Sequence, residues 1–237
     1  WGTSPRQEAL TVSNRGRIVA IRSSPICTRL MNEISPGFDR LGQQISFMVE
    51  VDKLKEVFRQ TKLINSGRQE NDAEHSWHLC LTVILLAEHA NSPDLNVLHV
   101  LKMVILHDLV EIDAGDTFAY DEAGMVDQRE RESVAADRIF GILPTDQAAQ
   151  FRGIWDEFEA QETPEAKFAL ACDRFQPMLL NVMTNGASWK EHGITHDRVV
   201  ARNQRIENGS TTMWERISTM LDDAVAAGII APAPRAK

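Results

Sequence analysis

Apolar residues recur at intervals of three and four positions along most of the chain, and this spacing predicts helices. Between residues 41 and 60 the repeating positions are Ile45, Met48, Val49, Leu54, Val57 and Phe58. Asn71, with Glu74 three residues later, matches a capping box and predicts a helix that begins near Asp72 and ends at about His89. Further helices are expected at about 95–109, 127–140, 145–160, 164–184, 195–206 and 211–227.

The pattern contains no run of alternating β-branched residues with hairpin signals, and it therefore predicts no strand. No internal repeat or low-complexity linker divides the chain, so one all-α domain is expected over residues 31–230. Residues 1–30 carry five arginines and a single acid, a composition similar to an organellar transit peptide. They are interpreted as a disordered extension, either a targeting segment or a non-native leader, and residues 231–237 as a frayed tail.

Composition narrows the classes of function. The formal net charge of −9 over 237 residues argues against a surface that binds the nucleic-acid backbone. No apolar run is long enough to span a bilayer. The three cysteines, Cys27, Cys80 and Cys172, lie far apart and form no CxxC pair, which favours neither a disulfide framework nor a thiolate zinc site. A reducing, cytoplasmic setting is the expectation.

Polar residues concentrate in "LHDLVEIDAG", directly after a strongly apolar helix. His107 and Asp108 end that helix, Glu111 follows one turn beyond His107, and Asp116 follows a glycine. The HD dipeptide alone is a weak signal, since His196-Asp197 repeats it in a polar stretch that is typical of a helix start.

Two other predicted helices bring similar groups close to their apolar faces. His75 shares a face with Leu79 and Val83, and Asp173 lies at the edge of an apolar stripe. Because an isolated buried carboxylate is very costly, such residues must be paired or must bind a cation. Two imidazoles and two carboxylates suit one divalent ion, with Mn, Co, Mg, Zn or Fe as candidates.

The order of His75, then His107-Asp108, then Asp173 resembles the H…HD…D signature of the HD-domain metal-dependent phosphohydrolases. The strings "RQENDAEHS" and "HDLVEIDAGD" are similar to the branch that contains bacterial 5'-deoxynucleotidases and their eukaryotic relatives, over roughly residues 40–185. The resemblance implies an all-helical HD bundle in which those four residues hold one divalent ion. Glu111 would orient or deprotonate the attacking water, and Asp116 would contact the nucleotide sugar or assist the leaving oxygen. Binuclear members need further histidines after the HD pair, and none occurs here before His192.

One departure from that branch concerns substrate binding. The deoxynucleotidases carry an Arg-Trp pair in a longer loop, whereas this chain has only "NSG" before Arg68 and lacks the tryptophan. Selectivity for deoxyribose is therefore not implied. Arg68 either binds a substrate phosphate, for which a guanidinium is well shaped, or pairs with Glu70 or Glu74.

These observations predict a metal-dependent phosphomonoesterase, similar to 5'-nucleotidases, that uses a metal-activated water. The expected partner is a small phosphomonoester, in particular a nucleotide, with neither a nucleic-acid polymer nor a membrane; a homo-oligomer is plausible. Three alternatives stay open at this point. The same ligands suit a non-haem iron oxygenase, a metal- and nucleotide-binding sensor would need no turnover, and a purely structural helical protein would bind no metal.

Overall fold

The computed structural model describes residues 39–121 and 123–234. The predicted extension at residues 1–30 lies outside the described residues, as do positions 235–237 of the predicted tail. Ala231, where that tail begins, forms a parallel backbone bridge to Thr195.

The described part of the chain is predominantly helical, which confirms the predicted fold class. Three 3-10 turns, at Asp52–Glu56, Ala87–His89 and His107–Val110, connect or extend the α-helices. The α-helices are α1 Arg40–Val51, α2 Asp72–Leu86, α3 Val97–Leu106, α4 Glu111–Ala114, α5 Gln128–Phe140, α6 Thr145–Ala160, α7 Pro164–Met183, α8 Ala187–Glu191, α9 His196–Asn203, α10 Ile206–Gly209 and α11 Thr211–Ala226.

The prediction of one helix over residues 41–60 is wrong beyond Val51, and the prediction of no strand is wrong as well. The backbone of Val57 is extended, and strand β1 (Phe58–Lys62) pairs antiparallel with strand β2 (Gln69–Asn71). The apolar spacing misled because Leu54 belongs to a 3-10 turn and Phe58 is an exposed strand residue. A two-stranded pairing depends on a partner segment, which the period of one segment does not reveal.

Helix α7 lies at the centre of the core. Thr163 caps its first turn and Pro164 occupies its first position, where the missing N–H costs nothing. Helices α2, α3, α6 and α11 pack around α7. Fully buried side chains from these helices form one continuous apolar core with α7, including Leu79, Val83, Val100, Met103, Phe168 and Ile217.

Helix α10 packs unusually closely on α7 at Gly209. A Cβ atom at Gly209 would lie 2.3 Å from the backbone oxygen of Lys167, so only glycine allows this approach. The contact packs α10 against residues of α7 that precede Asp173, and Arg174, directly after Asp173, donates to the backbone oxygen of Arg202 in α9.

Within residues 39–121 and 123–234, none of the helices combines the length and the apolar character needed to cross a bilayer.

Candidate metal centre

His75 is positioned by the start of α2. The Asn71 side chain accepts the backbone N–H of Glu74 at 2.9 Å, and the Glu74 carboxylate accepts the N–H of Asn71 at 3.2 Å. This is the capping box that the sequence predicts. It begins the helix at Asp72, which places His75 in the first turn with its side chain fully buried.

His107 and Asp108 follow α3 in a tight 3-10 turn rather than in the α-helix predicted to residue 109. The backbone oxygen of His107 accepts the indole N–H of Trp155 at 3.2 Å, and the Phe158 ring packs edge-on against the imidazole. Helix α4 carries Glu111 and ends at Gly115, whose φ of 75° is a left-handed conformation that favours glycine.

The four sequence-predicted ligands converge on one point. The Nε2 atom of His75 lies 3.0 Å from Asp173 Oδ1 and 3.9 Å from Asp108 Oδ2. The Nε2 atom of His107 lies 3.0 Å from Asp108 Oδ1 and 3.5 Å from Asp173 Oδ1. Ligand atoms of His75, His107 and Asp108 all lie within 4.8 Å of one another.

A hydrogen bond at Nδ1 fixes the tautomer of each imidazole. His107 Nδ1 faces the backbone oxygen of Val104 at 3.0 Å and must therefore donate its proton there. The amide nitrogen of Gln176 donates to Glu70 at 2.8 Å, so the amide oxygen of Gln176 accepts from His75 Nδ1 at 3.1 Å. In its neutral form each ring therefore carries its proton on Nδ1 and directs the Nε2 lone pair toward the carboxylates, as a metal-binding histidine does.

The contacts among these four residues leave one polar atom unsatisfied. His107 Nε2 is buried and has no hydrogen-bond partner among the described residues, despite its closeness to Asp108. Burial lowers the pKa of His75 to about 4, with Arg59 adding to the effect, so this ring is neutral at pH 7. Burial acts in the same direction on His107, but Asp108 and Asp173 raise its pKa to about 9. A divalent cation fits this donor set, because it would take the place of the His107 proton between the carboxylates.

A second group of acids lies beside the first. Carboxylate oxygens of Asp72, Glu111 and Asp116 lie within 4.8 Å of one another, and Asp72 Oδ2 and Glu111 Oε2 are buried without hydrogen-bond partners. Burial raises the pKa of Glu111 well above its usual range, and the neighbouring carboxylates of Asp108 and Asp72 add to it. Burial also raises the pKa of Asp116 to about 6, although Arg59 opposes this. These three carboxyl groups can therefore share protons among themselves or bind a cation.

Arg59 connects the two acidic groups. Its Nη1 atom donates to Asp108 Oδ2 at 2.9 Å and to Asp72 Oδ1 at 3.2 Å, and its Nε atom lies 3.9 Å from Glu70 Oε2. Burial opposes the charge of this guanidinium, but Asp108 and Glu111 raise its pKa well above the ordinary value. Arg59 is therefore a permanent cation at the edge of the candidate metal centre.

Three of the four convergent residues, all except His75, line a cavity of about 410 Å³, a volume typical of small-molecule sites. His107, Asp108, Glu111, Asp116 and Asp173 line it, together with Arg59. Its other walls carry aromatic side chains (Phe118, Tyr120 and Trp189) and several further arginines. The cavity thus combines a metal-binding donor set, titratable carboxyl groups and cationic side chains.

Arg68 does not reach this cavity. Its guanidinium forms a two-point contact with Glu74, with Nη1–Oε2 at 2.8 Å and Nη2–Oε1 at 2.5 Å, and its side chain is half exposed. Of the two roles considered for Arg68, the structure shows the surface ion pair. The phosphate role stays a prediction without support in the structure, because Glu74 occupies this guanidinium and Arg68 is not among the residues that line the cavity.

Three residues of the site were missed by sequence reasoning, namely Arg59, Asp72 and Gln176. Arg59 lies in the segment predicted as helix, and its position became evident only with strand β1. Asp72 looks like an ordinary acid in a first helical turn, where negative charge is favourable in any case. Gln176 does carry a signal, since it lies three residues after Asp173 and therefore on the same side of α7.

Comparison with known proteins agrees with this geometry. Residues 51–214 match the family model described as HD domain. The 5'-deoxynucleotidase HDDC2 of Homo sapiens is 26% identical over 136 residues, which are 57% of this chain and 65% of the human protein. HDDC2 of Danio rerio is 24% identical over 140 residues, which are 59% of this chain and 68% of the zebrafish protein. These matches span about two thirds of the relatives' length.

One solved structure has a higher sequence identity to this chain than the HDDC2 proteins have. A predicted metal-dependent phosphohydrolase from Magnetospirillum magnetotacticum MS-1 superposes with a TM-score of 0.77 and is 49% identical, covering 81% of this chain and 99% of that protein. The matched regions include His75, the His107-Asp108 pair and Asp173 within residues 51–214. The chain therefore belongs to the HD domain family, as a metal-dependent phosphohydrolase.

Proposed function

We propose that the chain hydrolyses small phosphomonoesters, with nucleoside 5'-monophosphates as the first substrate class. The observation that carries this proposal is the convergence of two tautomer-fixed imidazoles with Asp108 and Asp173 at the end of the cavity. The nucleotide class is supported by the similarity to 5'-deoxynucleotidases, and it rests on relatives that are about a quarter identical.

His75, His107, Asp108 and Asp173 would hold one divalent cation, and Mn, Co, Mg, Zn and Fe are all compatible with these donors. When bound, such an ion lowers the pKa of a water ligand and neutralises part of the phosphate charge. The fixed Nδ1 protons of both histidines leave Nε2 as the coordinating atom, so a bound cation would displace only the Nε2 proton of His107.

Glu111 is the general base of this proposal. Its carboxylate lies beside Asp72 and Asp116, and burial together with Asp108 keeps its proton affinity high. When ionised, a carboxylate of raised pKa accepts a proton from water more readily than an ordinary glutamate, and the charge of a bound cation would favour the ionised form. Asp116, whose pKa is also raised, would return a proton to the leaving alkoxide.

Arg59 would position two carboxylates of the site and supply the positive charge near the phosphate that was first considered for Arg68. Its guanidinium holds Asp108 and Asp72 in place through Nη1 and forms part of the cavity wall. Positive charge at that wall favours the approach of a phosphate to the carboxylate-rich end of the site. Phe118 and Tyr120 offer apolar faces to the rest of the substrate.

The test is inorganic phosphate release by metal-stripped protein, to which Mn, Co, Mg, Zn or Fe is added with a panel of ribo- and deoxyribonucleoside 5'-monophosphates. Asp108→Ala should abolish turnover and weaken metal binding. Asp197→Ala is the matched control, because it alters the other HD dipeptide at the exposed start of α9 and should leave the rate unchanged.

Two other outcomes have specific meanings. Tight metal and nucleotide binding without phosphate release would replace the hydrolase with the sensor considered above. Oxygen consumption that requires iron, with no activity in redox-silent metals, would instead support the oxygenase.

A further inference from the structure

Three arginines gather on a different wall of the same cavity. Arg174 follows Asp173 on α7, Arg202 lies near the end of α9, and Arg205 lies in the turn before α10; all three line the cavity. The Arg174 guanidinium donates to the backbone oxygen of Arg202. Arg205 donates to the Gln161 side chain at 3.1 Å, and Gln161 itself has a left-handed backbone at the end of α6.

None of these three guanidinium groups forms an ion pair with a carboxylate in the part of the chain that the structure describes. Other arginines in the fold do so, for example Arg138 with Asp113 and Glu50. The chain has 34 acids and only 25 lysines and arginines, so acidic partners are not in short supply. The absence of pairing at this wall is therefore a local property of the cavity.

Clustered guanidinium groups repel one another unless an anion lies between them. An oxyanion would relieve this repulsion, and the planar guanidinium matches phosphate through paired hydrogen bonds. Asn203, which is buried beside the cluster, donates to the Tyr120 hydroxyl at 3.4 Å and completes a polar wall.

The cluster is separated from the position expected for the scissile phosphate. Successive residues on an α-helix point about 100° apart, so Asp173 and Arg174 face different parts of the cavity. Asp173 Oδ1 lies 3.0 Å from His75, whereas Arg174 contacts the α9 end at Arg202. Arg59, in contrast, lies with the metal-ligand carboxylates.

We propose that Arg174, Arg202 and Arg205 bind a second phosphate group of the substrate, so that the enzyme prefers nucleotides with a phosphate in addition to the scissile one. This inference rests on the proposed function, since it assumes a nucleotide in the cavity. A nucleoside 3',5'-bisphosphate and a nucleoside 5'-diphosphate both supply the required chemistry, and the experiment separates them.

The test compares adenosine 5'-monophosphate, adenosine 3',5'-bisphosphate and adenosine 5'-diphosphate as substrates of the manganese-loaded protein. KM for at least one of the two doubly phosphorylated nucleotides should be tenfold or more below that for the monophosphate. Arg174→Gln and Arg202→Gln should each raise that KM at least tenfold and leave KM for the monophosphate within twofold. Arg216→Gln, exposed on α11 and outside the cavity lining, is the matched control and should change neither value.

Two results would overturn the inference. An equal rise of KM for mono- and bisphosphate would place the cluster on the scissile phosphate, and unchanged values would leave it a solvated surface. Calorimetric binding of the same nucleotides separates this inference from the proposed function. A wild-type protein that releases phosphate from no member of the ribo- and deoxyribonucleoside 5'-monophosphate panel refutes the proposed function, whereas a binding preference lost in Arg174→Gln and in Arg202→Gln still supports the arginine site.

Discussion

Replacement of Gln176 tests whether the candidate metal centre depends on the fixed tautomer of His75. Gln176 is almost completely buried, and its side chain makes three contacts. Its oxygen accepts from His75 Nδ1 at 3.1 Å, while its nitrogen donates to Glu70 at 2.8 Å and contacts His78 Nδ1 at 3.0 Å. Gln176→Leu removes all three contacts at similar volume, with no change to any proposed ligand.

Two effects are expected from Gln176→Leu. Loss of the acceptor behind a metal-binding histidine typically weakens metal affinity about 10- to 100-fold, equivalent to roughly 1.4–2.7 kcal/mol. The His75 Nδ1 proton and a Glu70 oxygen also become unsatisfied in the interior, at about 1–3 kcal/mol each. The variant should therefore bind metal more weakly and unfold more easily even without metal.

Cobalt titration of metal-stripped protein, followed by visible absorption, measures the first effect, and urea unfolding without metal measures the second. His78→Ala is the control, because it removes one contact of Gln176 and leaves the His75 contact intact; its cobalt affinity should stay within about threefold of the wild type. If Gln176→Leu loses stability but binds cobalt as tightly as the wild type, Gln176 is only a packing residue and the tautomer argument fails.

Three further predictions concern Glu111, Arg59 and Gly209. Glu111→Gln should lower kcat by about 10²- to 10⁴-fold with metal affinity unchanged, and a variant that kept the wild-type rate of phosphate release would remove Glu111 as the base. Arg59→Gln leaves the buried carboxylate of Asp72 without its guanidinium partner and should lower the free energy of unfolding in urea by roughly 3–5 kcal/mol. Added Mn²⁺ should restore part of this stability, and an unchanged free energy of unfolding would show that the ion pair is not stabilising. Gly209→Ala should lower the free energy of unfolding by about 1–3 kcal/mol through overpacking against the Lys167 backbone. Gly153→Ala is the control, because a Cβ there meets nothing within 4 Å, and it should stabilise α6 by about 0.5–1 kcal/mol. Equal effects of the two substitutions in urea unfolding would contradict the close approach of α10.

The sequence predicts those parts of the fold that depend on local interactions. The capping box of Asn71 and Glu74 fixes the start of α2 through contacts within four residues, and it is found as predicted. The helices predicted at about 127–140, 145–160 and 164–184 also agree with the structure within one residue at each end. In these segments the helical period, the caps and the core face all favour the same structure.

The parts that could not be predicted depend on partners distant in sequence. Strand β1 exists because residues 69–71 pair with it, and Arg59 reaches Asp108, 49 positions away, only through that strand. Gln176 lies 101 positions from His75, so its role depends on how α2 crosses α7. Local patterns thus identified the expected ligand residues but not the groups that hold and orient them.

The distribution of charge in the cavity argues against a purely structural role for these polar residues. Among the described residues that line or adjoin the candidate metal centre, one guanidinium, that of Arg59, lies beside four carboxyl groups, those of Asp72, Asp108, Glu111 and Asp173. A structural ionic core would balance these charges internally, because an uncompensated buried charge is destabilising. Instead, Glu111 retains high proton affinity, and the arginines at the other wall have no carboxylate partners within the described ranges. A cation at the one end and an anion at the other would compensate these charges, as a metal ion bound together with the proposed multiply phosphorylated nucleotide would do.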